Sequence, residues 1–408
     1  MTQRKQRNSS IELLRIIAMV MIVAHHYVDH STTFVSALPP FSGEEYFYLC
    51  MRSLGKLGVM LFFSISAWYL CMERHPTARR GLKRAWILER EVLFYSLLLM
   101  CICNILLPNL MSTGVTVKSF IPTASGIWWY VTAYMIFVLV APFLTNGLRR
   151  IGKQSHAALC VILMVMWGIV AGLSPIPLFH MQYDGLVSFL FLYTVISFYR
   201  WYMDDMTTKS AVLLVIIGCI CIFGSILLMQ LLGTRLHSVA LRNMSNFLTS
   251  NSVKLPIMMV GFGILVLAER KVFHNSCINA IASTTFAIYL ISDYPPVRAA
   301  LWNSRFGLAA VYGMHDAIFI SLASIFAVFI VCMIVDFIRQ VLFTMTVDRH
   351  PGAWFDKLSE FVVTRHSLQQ IAQSIAEKPT PHEHLFESYQ LDDQADEPIP
   401  RTESNTSR

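Results

Sequence analysis

The sequence is short of charge. Only 14% of its 408 residues are Asp, Glu, Lys or Arg, against ~25% in soluble domains. Meanwhile 55% are hydrophobic and the mean hydropathy is +0.55. The deficit excludes a chain that spends its whole surface in water, and places this one in a bilayer. A usable cysteine pattern is also missing. Nine cysteines is an odd number, and Cys71, Cys101, Cys103, Cys160, Cys219, Cys221 and Cys332 sit inside or at the edges of apolar runs. The pairs 101/103 and 219/221 are too tightly spaced for zinc knuckles, so neither a disulfide framework nor a metal site is expected. No small-x-small cleavage site follows Arg4, Lys5 and Arg7, which makes the first apolar run a retained transmembrane helix. No internal repeat suggests the inverted halves of a transporter.

What is present is a succession of apolar stretches long enough to cross ~30 Å of hydrocarbon as helices. They fall near 12–29, 55–72, 86–107, 127–147, 157–178, 183–200, 210–232, 253–268, 278–293 and 315–343. The expected fold is therefore all-α, a polytopic membrane bundle of about ten helices occupying 1–345. With the N-terminus inside, Lys and Arg in the connections divide 18 to 8 in favour of the inner side, which makes both termini cytoplasmic. Residues 346–408 form a cytoplasmic tail. "TRHSLQQIAQSIAE" (364–377) reads as a short amphipathic helix, and from Lys378 on the composition is that of a disordered segment. His382, Glu383 and His384 have metal-ligand residue types but read as solvated tail.

The stretch "RIIAMVMIVAHHYVDHS" (15–31) sets ionisable groups on an apolar helix, where each is costly unless paired or hydrated. Arg15 and His26 are eleven residues apart, ~1100° of rotation, so they share a face to within ~20° and lie ~16 Å apart along the axis. His25 points ~80° away. His26 and His30, at i, i+4 with Asp29 beside them, resemble a helical metal site, but no second ligand cluster completes it. A polar helix exit is the blander alternative. The favoured reading is proton chemistry: a neutral imidazole is the best general base near pH 7. Asp29 follows His25 by four residues and His26 by three, a spacing from which it can orient either ring.

"LLRIIAMVMIVAHHY", with Arg15, ten residues, then His26, resembles the first-helix signature of the integral-membrane acyltransferase 3 family of O-acyltransferases. Further stretches follow in the family's order. "GVMLFFSISAWYL" (58–70) is similar to its second-helix motif, with Ala67 where glycine is usual. "WWYVTAYMIFVLVAPFL" (128–144) and "STTFAIYLISDYPPVRAALW" (283–302) resemble two others. Two departures stand out. Ser292 replaces the histidine that many members carry before the aspartate, here Asp293, and "RRGLKRAWILEREVLFYS" lacks the clean R-x-x-R of the third helix.

The resemblance implies transfer of an acyl group, usually acetyl from acetyl-CoA, to a hydroxyl of an envelope carbohydrate or lipid-linked glycan at the plasma membrane. The expected partners are acyl-CoA, a carbohydrate or glycolipid acceptor and membrane lipids, with no nucleic acid and no permanently bound cofactor. His26 is then the general base, with Arg15, Asp29 and Asp293 as the other catalytic candidates. Arg79, Arg80, Lys83, Arg84 and Arg90 suit the phosphates of CoA, although the positive-inside rule alone would also place them there. Arg15 has two readings, a ligand for pantetheine or phosphate and a simple i+3 partner of Glu12; Glu89 is a further carboxylate available to neutralise Arg15 or Arg90. Trp128, Trp129 and Tyr130 are either an interfacial belt or a stacking surface for sugar. Ser64 and Ser66 are expected to make helix–helix hydrogen bonds. The rival functions are a transporter or flippase of a glycan or glycolipid, and a non-enzymatic sensor.

Overall fold

The computed structural model describes residues 7–176, 178, 185–303, 306–347 and 352–364, and among these it contains helices and no strand. The chain divides into two compact units, Met1–Arg349 and His350–Arg408. In the second, the described part is a helix at Ala353–Thr364. The amphipathic helix expected at 364–377 falls outside the described residues from 365 onward, as do the segment from Lys378 and the His382–His384 group.

The helices of the first unit that the site and its frame use are α1 Ser9–Asp29, α2 Gly43–Leu70, α3 Ala78–Leu106, α4 Trp129–Arg150, α5 Gly152–Leu163, α6 Leu186–Tyr202, α7 Thr208–Arg235, α8 Leu255–Arg270, α9 Ser276–Ser283, α10 Thr285–Ser292 and α11 Ala317–Met345. Short helices join them. Side-chain caps fix several starts: Asn8 accepts from the Ser10 amide, Ser42 from Glu45 and Thr77 from Arg80, satisfying backbone N–H groups that have no partner within the helix.

Six helices are long and apolar enough to cross a membrane: α1, α2, α4, α5 with its π-helical extension to Val170, α7 and α11. The other four expected spans are helical but differ in kind. At 17 and 16 residues, α6 and α8 reach only ~25 Å, short of the hydrocarbon thickness. Helix α3 has 29 residues, yet its first half carries Arg79, Arg80, Lys83, Arg84, Glu89, Arg90 and Glu91. The last, 278–293, is broken at Thr284 into α9 and α10. The chain is thus a multi-pass membrane protein whose described residues hold six clear spans instead of ten.

Helices α1 and α2 pack against one another, and the approach is close because Gly58 has no side chain: a Cβ there would lie 2.7 Å from the Ala18 carbonyl oxygen. Small residues at such crossings raise van der Waals contact where the hydrophobic effect gives little. Tyr27 of α1 and Tyr48 of α2 both hydrogen-bond Ser321 Oγ of α11, at 2.8 and 2.9 Å. Phe63 stacks on Phe189 with centroids 4.1 Å apart and meets Phe137 edge-on. Together these fix α1 inside the bundle, with its C-terminal half surrounded by α2, α10 and α11.

Candidate functional site

The four ionisable residues at the end of α1 separate onto two sides. His25 lies against α2. Its ring occupies the space over Gly55, where a Cβ would fall 2.1 Å from the imidazole, and its Nδ1 donates to the Arg52 carbonyl at 2.6 Å. Asp29 follows it and accepts from Arg52 Nε at 3.0 Å. Both residues are therefore committed to α2.

His26 turns toward α10. Its Nδ1 is buried without a hydrogen-bond partner and lies 3.8 Å from Asp293 Oδ1. Asp293, the C-terminal cap of α10, is only 4% exposed. The same oxygen accepts from Arg298 Nη1 at 3.2 Å and is 4.0 Å from His30 Nε2. One carboxylate oxygen thus gathers two imidazoles and a guanidinium. At 3.8 Å the His26 contact is an ion-pair distance, too long for a hydrogen bond.

A narrow cavity of about 20 Å³ adjoins His26. Met19, Ile22 and His26 line it from α1, Trp129 and Tyr130 from α4, and Phe286 and Tyr289 from α10. It has room for one water-sized group. The Tyr130 hydroxyl is buried with no partner, and its ring packs against Tyr134 and Tyr289 with centroids 5.9 and 6.0 Å apart. Met19 and Ile22, which lie between Arg15 and His26 in sequence, face the cavity that His26 faces, whereas Arg15 is not among its lining residues.

The remaining sequence-predicted residues are placed as follows. Trp128 is fully buried against Tyr294, so its ring is enclosed instead of offered to a sugar. Trp129 is 37% exposed, with Lys56 Nζ 5.8 Å above its ring. Arg15 pairs with Glu12 at 3.3 Å, the simpler of its two readings. Ser64 bonds within its own helix, to Met60 Sδ, instead of across helices; Ser66 is half-buried.

The basic group at the start of α3 is organised by a residue the sequence reading passed over. Glu73 takes Arg84 Nη1 at 2.8 Å and Arg80 Nη1 at 3.0 Å. Burial raises the Glu73 pKa, but Arg84 and Arg80 outweigh it and hold the carboxyl below its usual range. Arg79 is exposed and Lys83 half-buried on the same turns. Arg90 lies further along, its Nη1 3.4 Å from the Val347 carbonyl, and Glu89 accepts from Thr123 instead of neutralising Arg15 or Arg90.

A second buried polar group ties α3 to α11. Asp336 accepts from Tyr95 at 2.6 Å, Arg339 at 2.7 Å and Gln340 at 2.7 Å, and Arg339 also meets Glu91 at 3.2 Å. Arg339 is 7% exposed inside its helix. Asp336 and Arg339 were findable as an i, i+3 ionisable pair within an apolar run. Arg298, five residues beyond Asp293 and past Pro295 and Pro296, offered a weaker signal; Arg52 and Glu73 offered none. Among the described residues no group of three or more His, Cys, Asp or Glu is placed to hold a metal ion.

Against known proteins, no curated protein and no solved structure matches the chain. The model of the acyltransferase domain of the acyltransferase 3 family matches residues 8–337, a range that contains α1 to α10, the His26–Asp293 pair, its cavity and the basic group of α3. The protein belongs to the acyltransferase 3 family and is a multi-pass membrane acyltransferase.

Proposed function

We propose that the chain moves an acyl group, acetyl in the first instance, from acyl-CoA to a hydroxyl of an envelope carbohydrate or lipid-linked glycan, with His26 as the general base. The observation that carries this reading is the position of His26, with one nitrogen toward the buried Asp293 carboxylate and its ring on a cavity of about 20 Å³. A proton on Nδ1, facing Asp293, leaves Nε2 as the basic nitrogen. Catalytic contacts are often long in the unliganded state and tighten on binding, which suits the 3.8 Å separation.

His26 takes the proton of the acceptor hydroxyl as that oxygen attacks the thioester carbonyl. The C–O bond forms, the C–S bond breaks, and the departing CoA sulfur takes the proton back from the imidazolium. Asp293 stabilises the imidazolium in between. The unpartnered Tyr130 hydroxyl on the cavity wall is the donor available to the negative charge that develops on the carbonyl oxygen. The small cavity suits a methyl-sized acyl group. Arg79, Arg80, Lys83, Arg84 and Arg90 would meet the CoA phosphates on the cytoplasmic side of the plasma membrane, with both termini on that side, and the pantetheine arm would run along the Arg15–His26 face of α1.

The test is reconstitution of the purified protein into vesicles with radiolabelled acetyl-CoA and an envelope glycan extract. Label appearing in alkali-labile ester on the glycan supports the reading. Label that stays with CoA in the presence of correctly inserted protein defeats it.

A further inference from the structure

A cavity of about 20 Å³ cannot hold a sugar ring, so an acceptor must bind outside it. We propose that the acceptor lies in a cleft of about 760 Å³ on the other side of α1, and that it is an anionic glycan recognised through Arg52; this rests on the acyl-transfer reading above.

The cleft is lined by His25 and Asp29 of α1, Arg52 and Lys56 of α2, and Asn243 and Asn246 of the segment before α8. Its volume lies in the range of small-molecule sites, roughly 300–1,000 Å³. A second pocket of about 310 Å³ shares Arg52, Asn243 and Asn246 with it, so the guanidinium stands where the two meet.

Charge gives the ligand class. Among the described residues the cleft's cations are Arg52, Lys56 and Lys254, and its carboxylate is Asp29. Lys254 is held by the carbonyls of Ala171, Gly172 and Ser174. Asp29 engages Arg52 through Nε alone, which leaves the two terminal nitrogens of a 38% exposed side chain without a partner among the described residues. A planar pair of N–H donors fits a carboxylate or phosphate. Asn243 is exposed, and its side chain, which makes no hydrogen bond among the described residues, offers both a donor and an acceptor to sugar hydroxyls. The cleft also adjoins the catalytic pair. His25, on its wall, has its ring centroid 5.8 Å from that of His26, and Lys56 lies over Trp129 of the cavity.

The experiment uses the full-length protein in nanodiscs without donor, and measures equilibrium binding of a uronic acid trisaccharide, its carboxyl-reduced neutral counterpart and inorganic phosphate. The expected result is that the uronate binds roughly tenfold tighter than the neutral sugar, and that Arg52→Gln removes this preference. Asn243→Asp, which breaks no contact of the fold, should weaken uronate binding through charge alone, and His26→Ala should leave binding unchanged. Binding of phosphate in place of the uronate, lost in Arg52→Gln, supports the same anion site with a phosphate-bearing glycan as its occupant. Equal binding of charged and neutral sugar, no binding of either anion, or parent-like binding by both cleft variants overturns the proposal. Acyl transfer that persists in His26→Ala, with the cleft still selecting anions, counts against the catalytic reading alone.

Discussion

His26 of α1 and Asp293 at the end of α10 meet at 3.8 Å inside the bundle, while the neighbouring His25 faces α2 and bonds the Arg52 carbonyl at 2.6 Å. Two adjacent residues of one type thus have different partners. The separation follows from the 100° step of the helix, and it makes their substitutions distinguishable.

His26→Ala should lower acyl transfer by ~10²-fold or more, the usual contribution of a positioned base, with protein yield unchanged. His25→Ala should keep most of the turnover and lose thermal stability, because its ring fills the space over Gly55. Product formation and unfolding temperature in detergent, measured on both, decide the matter. Equal loss of transfer would remove the distinction between the two faces.

Asp293→Asn keeps the shape of the side chain but removes the charge that faces His26, His30 and Arg298. The expected outcome is a fall in kcat of ~10²-fold with little change in donor KM. His30→Ala, at 4.0 Å from the same oxygen, should cost less. If the His30 variant is the more damaged of the two, the roles of the imidazoles must be exchanged.

Met19→Trp or Ile22→Trp should fill the cavity of about 20 Å³ and block transfer without touching a polar group. Ile17→Trp, on an exposed part of the same helix, is the control and should retain activity. Efficient turnover by either cavity variant would mean that the acyl group does not pass along α1.

Arg84→Glu should raise the KM for acyl-CoA with a smaller effect on the acceptor. Glu73→Gln should lower it, because Arg80 and Arg84 are then released from their shared carboxylate. Protease accessibility of the C-terminal tail reports whether each variant is correctly inserted. Donor affinity unchanged in both directions would leave these arginines with topology alone.

The same carboxylate predicts a pH effect. The folded Glu73 pKa is depressed, so its pairing contributes stability above the unfolded carboxylate pKa, near pH ~4.5, and loses it as pH falls through the folded value. Because Arg80 and Arg84 are 53% and 42% exposed, the contribution should be under about 1 kcal/mol. Thermal unfolding of the parent and Glu73→Gln should therefore differ at pH 7 and converge at low pH. A difference that grows on acidification would contradict the pairing.

The amino-acid sequence by itself determined the solvent and the class: too little charge for water, apolar runs at helical length, and four motifs in one family's order. It also determined that Arg15, Met19, Ile22 and His26 share a stripe, because helix geometry converts spacing into direction without reference to anything else. Tertiary packing decided which carboxylate His26 would meet. Asp29 has the right local spacing, but Arg52 of α2 engages it, and the group facing His26 arrives on α10 from a distant part of the chain. Packing likewise enclosed Trp128, brought Glu73 to the basic group and buried Asp336 with Arg339, and it left α6 and α8 shorter than a clear span. Local periodicity is carried by neighbouring residues, whereas a long-range partner depends on how every intervening helix is placed, and that placement rests on contacts such as Gly58 on Ala18 that no single stretch of sequence contains.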